Sequence, residues 1–433
     1  MAPQILALND HGITFGNAEG IRLISPGFAL AREKSLVLGA QAQAQSRLHP
    51  NESHSRYWQE LSLDPLPAGR LPGDRFRHLA DLAHAHLNAL ATEAETSTDS
   101  VIVSVPGSFS RQQLGILLGI AKQTPLAIAG LVDSALIAAA GAQTLHASDY
   151  TIVVHQQLHQ TLFTQVSWHE GALKVDTSVA LASSGSQNVI DALMQLSTDL
   201  FIDQCRFNPQ HDAPTEQLLY NALPAWLAAD ASSGSLMLEL SADGAVHNAK
   251  LPYESLVASL APIRQRLLEQ LNAMLSRAPN AQIVLCSTLS ELPGLAAQLD
   301  PIAPVTTIDA EQHLASSLTH SEQILSAGAS SLRKTLVLSR PASTLSPKSG
   351  TASATERAAE NALARFGVSA QGGQAAALLS SLRVNGERVV NAAELTLKEG
   401  DSLTLGIDSE TGGHNETQDT LTFTLKKLSN GED

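Results

Sequence analysis

The sequence predicts an α/β protein in two similar halves, followed by a small all-β module. Three observations carry this. Short apolar runs alternate with segments of helical period across the first ~340 residues. The order of these elements, strands first and helix–strand pairs after, recurs from about residue 150. Beyond Arg340 the character changes to Pro, Ser, Thr and Ala, and then to short alternating strands.

In the first half, "QILALN" (4–9) is a strand and "GITFG" its hairpin partner. "IRLIS" (21–25) and "SLVLG" (35–39) read as further strands. "GDRFRHLADLAHAHLNALA" (73–91) is a helix, because Phe76, Leu79, Leu82, Ala83, Leu87 and Leu90 recur at helical spacing. "SVIVSVP" (100–106) is a buried strand. Ser110 caps a helix over 110–124. A strand at 126–132 leads into a helix over 133–142, capped by Asp133.

The second half predicts strands at 150–155, 160–168 and 172–180, then helices over 186–205 and 214–229. A hairpin follows at 235–241 and 245–251. One long amphipathic helix is expected over 253–277, with Leu256, Leu260, Ile263, Leu267, Leu271 and Met274 on one stripe. A strand at 281–288, short helices at 291–299 and 309–317, and a strand at 335–339 complete it. The stretch 340–370 reads as a flexible linker with a helix at 354–366. Residues 371–433 read as the β module, with turns at Asn385–Gly386 and Gly400–Asp401.

Composition narrows the function classes. The chain has 433 residues, 43% hydrophobic and 16% charged, which is globular rather than disordered. Its net charge of −15 repels nucleic acid and anionic lipid, and no run of Lys and Arg offsets it. Neither nucleic acid nor membrane insertion is expected, and the protein partners are unnamed. Two cysteines, Cys205 and Cys286, make no disulfide framework and lack metal-ligand spacing. The start has no basic n-region, and no run is long enough for a membrane span, so a cytoplasmic protein is expected.

The segment "VIVSVPGSFSRQQLGILLGIAKQTPLAIAGLVDSALIAAAGA" resembles the nucleotide-binding domain of the seventy-kilodalton heat-shock (DnaK-type) chaperones. Val105, Pro106, Phe109, Gln112, Gly130 and Asp133 occupy the family's places. "LVLGAQAQAQSRLHPNES" resembles its Gly-x-x-Ala helix and Asn-Pro turn. "SSGSQNVIDALM" and "IVLCSTLSELPGL" keep the later order, with Leu292-Pro293 in place of Ile-Pro. The resemblance implies an actin-like ATPase fold of two ribonuclease-H-like lobes around a cleft. The lobes would cover about 1–145 with 310–339, and 146–309. It also implies ATP in the cleft, held by two glycine-rich hairpins, with carboxylates holding Mg²⁺ through water.

Scored by residue, that implied site is degenerate. In the first hairpin "DHGIT" gives Asp10, Gly12 and Thr14, with Ile13 where the family has a hydroxyl. A one-residue shift would put Asn9 at the acidic place, and an ordinary surface turn explains the stretch equally well. In the second hairpin Gln156, Gln157, Leu158, His159, Gln160 and Thr161 replace Asp-Leu-Gly-Gly-Gly-Thr. Only Thr161 matches. Asp133 stands where the family has Glu. The catalytic Lys falls near Trp58 or Gln59. Ser287, Thr288 and Leu289 replace the adenosine loop's Gly-Gly-Ser, and Asn221 and Pro224 replace its ribose-binding Glu and Lys. Gly185 keeps one phosphate-side glycine. The residual cofactor-binding set is therefore Asp10, Gly12, Thr14, Asp133, Thr161 and Gly185, with no catalytic and no metal residue.

Other chemistry is thinner. His155 and His159, with His11 across the cleft, have metal-ligand residue types, but a solvated turn is the simpler reading. His84 and His86 do not share a helix face. Cys286 reads as a small buried apolar residue. The tail pattern "VNGERV…L…GDSLTLG" resembles the last strands of forkhead-associated domains, and is too short for a chaperone's substrate-binding part. The expected function is a chaperone-like pseudo-ATPase, acting as a scaffold or regulator of protein assembly, with no cofactor. The alternatives are an ATP-binding chaperone-like ATPase with Mg²⁺ between Asp10 and Asp133, and an actin-like assembly protein of a larger machine.

Overall fold

A computed structural model describes residues 3–67, 71, 76–94, 100–143, 148–228, 234–242, 244–278, 280–329 and 331–338. In the tail it describes the strands at 383–384, 387–388, 402–407 and 419–424. The chain divides into two units, Met1–Ser343 and Thr344–Asp433.

The first unit begins with a meander of β1 (Gln4–Ala7), β2 (Ile13–Asn17) and β3 (Gly20–Ser25). β4 (Ala29–Ala31), β5 (Leu36–Leu38), α1 (Gly39–Gln43) and β6 (Ser53–His54) make a small side unit. Then come α2 (Leu79–Glu93), β7 (Ser100–Val105), α3 (Arg111–Ala121), β8 (Ala127–Asp133) and α4 (Ser134–Gln143). The caps are those the sequence advertises. Ser110 Oγ accepts from Gln113 N, and Asp133 Oδ1 accepts from Ala135 N.

The same plan restarts with β9 (Tyr150–Gln156), β10 (Gln160–His169) and β11 (Ala172–Ala182), followed by α5 (Ser186–Cys205) and α6 (Ala213–Leu227). A hairpin, β12 (Ser235–Ala242) and β13 (Ala245–Pro252), leads to α7 (Tyr253–Ser259) and α8 (Ala261–Leu275). β14 (Gln282–Cys286), α9 (Ser287–Ser290), α10 (Leu295–Leu299), β15 (Val305–Ile308), α11 (Ala310–Thr319) and α12 (Ser321–Ser326) follow. β16 (Leu332–Arg333) and β17 (Thr335–Val337) end the unit.

Two six-stranded sheets result, and they repeat one another. The first runs β16-β8-β7-β1-β2-β3 and the second β15-β14-β9-β10-β11-β17. In each, a three-strand antiparallel meander is extended by two parallel strands beside its first strand. β16 then joins the first sheet and β17 the second, so one short segment is shared between both. α4 is packed between them. Leu136, Ile137 and Ala139 share a core with Ile5 and Ile102 of one sheet and Val153 and Val284 of the other. This repeat positions the β1–β2 and β9–β10 hairpin tips as equivalents, at the carboxyl end of the first strand of each sheet.

Several elements differ from expectation. The single helix over 253–277 is two helices meeting at Leu260, because Pro262 in the first turn of α8 has no N–H to continue the ladder. The helix expected from residue 73 begins at Leu79. β15, whose hydroxyl-bearing "VTTI" lacks an apolar run, was not expected, nor were β4, β6, β16 and α12. The second unit holds a four-stranded antiparallel sheet, ordered β19 (Glu387–Arg388), β18 (Arg383–Val384), β20 (Ser402–Ile407) and β21 (Asp419–Thr424). The expected linker, its helix and both module turns lie outside the described residues. Among the described residues no helix is long and apolar enough to cross a membrane.

Candidate functional site

The two hairpin tips meet. Asn9 Nδ2 donates to Gln156 O at 3.0 Å, and Leu158 N donates to Asp10 Oδ1 at 2.9 Å. His11 Nδ1 shares a hydrogen bond with Ser186 Oγ at 2.8 Å. Asp10 is buried, and its Oδ2 has no hydrogen-bond partner. Burial pushes its pKa up to about 6, against the opposing pull of the Leu158 N–H and of Arg56. Gly12 N closes the first turn onto Asn9 O at 2.9 Å, and Thr14 Oγ1 turns back onto Gly12 O.

The second tip is a closed turn, with Gln157 N bonded to Gln160 O at 2.8 Å. Neither Leu158 nor His159 has a positive φ, so this turn does not need glycine. Its carbonyls point at the start of α5. Ser186 N bonds Gln157 O and Gln187 N bonds Leu158 O, each at 2.9 Å, and Ser183 N bonds His159 O at 3.0 Å. The Ser186 and Gln187 amides are of the kind a helix N-terminus offers an anion. Here the chain's own carbonyls take them. Gly185, the residue before α5, has φ −77°, so its role is closeness. A Cβ there would lie 2.4 Å from Leu158 C and O. Thr161 Oγ1, fully buried, donates to Ser184 O at 2.7 Å and ties the same joint.

Side chains complete the filling. Leu158 packs with Phe28, Leu30 and Ala42. His159 Nε2 shares a hydrogen bond with Ser55 Oγ, and Gln59 Nε2 donates to Gln160 Oε1 at 3.0 Å. Gln59 O in turn accepts from Gln113 Nε2. Trp58 is buried, and its indole N–H donates to His86 Nδ1 at 3.2 Å. Because Trp Nε1 can only donate, Nδ1 is the acceptor, and the Tyr57 hydroxyl donates to it as well, at 2.7 Å. His86 Nε2–H then faces Ser25 Oγ at 2.9 Å.

Asp133 lies apart from this joint in its contacts. It is fully buried, and its Oδ2, unpartnered, faces Gly107: a Cβ on that glycine would be 3.1 Å away. Burial pushes its pKa up to about 6. At the positions the resemblance assigns to adenosine, Thr288 Oγ1 and Cys286 Sγ are 3.3 Å apart, Leu289 is buried, and Asn221 Oδ1 accepts from Gln217 Nε2. Pro293 O accepts from the buried Arg264.

A second bridge between the two sheet-bearing lobes was not legible. Arg47, just after α1, reaches Asp191 Oδ1 at 2.6 Å on α5 and Glu216 at 3.7 Å on α6. Its guanidinium stands over the Tyr220 ring, and Arg47 N donates to Gln217 Oε1 at 2.7 Å. No local pattern around Arg47 signals this, since every partner is more than a hundred residues away.

The histidines do not form a solvated turn. His155 and His159 are half-buried, and His155 pairs edge-on with His313 at 6.3 Å between ring centroids. Among the described residues no group of three or more His, Cys, Asp or Glu is placed to hold a metal. Cys286 is half-buried rather than a core residue, and its Sγ accepts from Gln156 N.

No protein-family model matches this chain, and no curated protein does. What the site can do rests on its geometry.

Proposed function

We propose that this chain is a divergent relative of the heat-shock (DnaK-type) nucleotide-binding domain, in the actin, heat-shock and sugar-kinase superfamily. The place where the resemblance puts phosphate has been rebuilt as a protein-filled joint, and the chain acts as a pseudo-ATPase scaffold or regulator of protein assembly. The repeated sheets and the matching hairpin tips support the superfamily. One observation carries the loss of chemistry. The amides of Leu158, Ser186 and Gln187, at the place where the resemblance puts phosphate, are bonded within the chain. The residues present do not fit a nucleoside triphosphate with Mg²⁺, because Asp10 is spent on Leu158 N and the glycine turn is a closed, side-chain-bearing one. The four-stranded sheet of the second unit would offer a separate binding surface.

A second reading has its own support. Asp10 and Asp133 each keep a buried carboxylate oxygen without a partner, which a Mg-ATP complex would satisfy. Titration calorimetry with Mg-ATP and Mg-ADP, with phosphate release measured alongside, decides between them. The expected result is no heat of binding up to millimolar nucleotide and no phosphate release. Micromolar binding that Asp10→Ala abolishes would overturn the pseudo-ATPase reading. Sedimentation of the same samples tests the assembly alternative, which requires polymers.

A further inference from the structure

We propose that a pocket at the carboxyl ends of both sheets binds a small uncharged heteroaromatic molecule. The pocket has a volume of about 140 Å³, whereas a single water needs only about 10–15 Å³. It opens where β1, β7, β9, β14 and β15 end, the edge at which open α/β sheets take ligands, beside the hairpin tips at Asn9, His11, Gly12 and Gln157, and the inference rests on the reading of that cleft as one without phosphate chemistry. Leu8, Leu162 and Ile308 give it an apolar wall, and His155, His313 and Thr288 a polar one. His313 Nε2 is anchored to Ser104 Oγ at 3.0 Å. His155 has no hydrogen-bond partner among the described residues, so its ring nitrogens are free for a guest.

Charge sets the class of guest. No Lys or Arg lines the pocket. The helix starts that border it, at Ser134 and Ala310, already carry carboxylates: Asp133 Oδ1 accepts from Ala135 N, and Asp309 Oδ1 accepts from Gln312 N at 2.7 Å. Burial lowers His155 to about 4, and burial together with His155 lowers His313 to about 3, so both rings stay neutral. An anion therefore meets no counter-charge. Among the described residues a metal cation meets no set of three His, Cys, Asp or Glu ligands. A ring with N–H and ring-nitrogen edges for the imidazole and a flat apolar face for the leucines meets both walls.

The test uses the full chain carrying Cys205→Ser, which leaves Cys286, on the pocket wall, as its sole thiol. The alkylation rate of Cys286 is measured with adenine, cytosine or nicotinamide, and with glucose, inorganic phosphate, AMP or Mg-ATP. At least one uncharged heteroaromatic should slow alkylation about tenfold at roughly ten times its dissociation constant, while glucose and phosphate leave it unchanged. His155→Phe should remove that protection. If that variant does not fold, His155→Gln serves, with protection weakened severalfold. Absence of protection by all three heteroaromatics at millimolar concentration overturns the proposal, as does protection by phosphate or glucose. Protection by Mg-ATP alone overturns both this and the pseudo-ATPase reading. Protection by Mg-ATP and free bases together overturns only the latter.

Discussion

The two hairpins occupy matching places in two matching sheets, yet their tips differ. The first carries an acidic residue and a glycine, and closes on itself through Gly12 N and Asn9 O. The second carries neither. It has Leu158, His159 and Gln160 at its tip, and its carbonyls cap α5. The difference is coordinated: the carboxylate the first tip retains, Asp10, binds the amide the second tip would otherwise present. A tip without glycine is not a loose loop. It forms a joint whose polar groups answer one another across nearly 150 residues of sequence.

The sharpest way to break this comparison is to substitute a glycine on each side. Gly185→Val places a Cβ against backbone atoms of Leu158 and His159, at 2.4 and 2.5 Å, which no rotamer change relieves. It should cost more than about 3 kcal/mol in urea unfolding. Gly12→Ala meets only the Ile24 Cγ2 methyl at 3.2 Å, on an exposed side chain, and should cost under about 1 kcal/mol. Equal costs would mean that the second joint is not built on close approach.

Introducing glycine into the second tip should not create nucleotide chemistry. Leu158 is buried against Phe28, Leu30 and Ala42. Leu158→Ala should therefore lose about 2–3 kcal/mol. Leu158→Gly should add the backbone entropy of glycine, and neither should gain Mg-ATP binding by calorimetry. Nucleotide binding in Leu158→Gly would show that side-chain filling alone, and not the engaged amides, closes the site.

Much of this was legible in advance. The alternating strands and the Ser110 and Asp133 caps follow from local rules. Gly185 was legible as a position but not as a cause, since its φ is ordinary and only the approach of Leu158 explains it. The pairing of His155 with His313, the Tyr57–Trp58–His86–Ser25 cluster and the Arg47 bridge are contacts between distant segments. No window of sequence contains both partners. The break at Leu260 was readable from Pro262, but the continuous apolar stripe across it argued the other way.

Protonation separates the two aspartates from the histidines around them. Asp10 and Asp133 have folded pKa values of about 6, above the ordinary 3.8. The folded state therefore holds their protons more tightly, and their contribution is most favourable at acid pH and is lost as pH rises through about 6. His86, His155 and His159 at about 4, and His313 at about 3, act oppositely. Their contribution is present above the ordinary 6.5 and is lost as pH falls toward 4. Four large histidine shifts outweigh two aspartate shifts, so stability should fall between pH 6.5 and 4. Asp10→Asn keeps an acceptor for Leu158 N but removes the buried charge. It should raise stability by about 1–2 kcal/mol at neutral pH, taking about 1.4 kcal/mol per pKa unit as an upper guide. It should also make the acid loss steeper. A variant no more stable than wild type at neutral pH would mean that Asp10 is well solvated.

The smallest effect expected is at Arg47, where the comparison turns from the hairpin tips to the outer contact between the lobes. Its ion pairs with Asp191 and Glu216 join partly exposed side chains, at 2.6 and 3.7 Å. Exposed pairs of this kind contribute about 0–1 kcal/mol, because water screens them and both side chains lose freedom. The stacking of the guanidinium over Tyr220 adds a little. Arg47→Ala should therefore cost about 0.5–1 kcal/mol, and raising salt in the wild type should recover part of the same loss. The hairpin joint, made of buried and mostly uncharged bonds, should be nearly indifferent to salt. Hydrogen exchange reads the two separately. In Arg47→Ala the amide of Arg47 itself, which donates to Gln217, should exchange faster, while Leu158, Ser186 and Gln187 keep wild-type protection. If those three amides loosen as well, the tips are held shut by the outer bridge rather than by their own contacts.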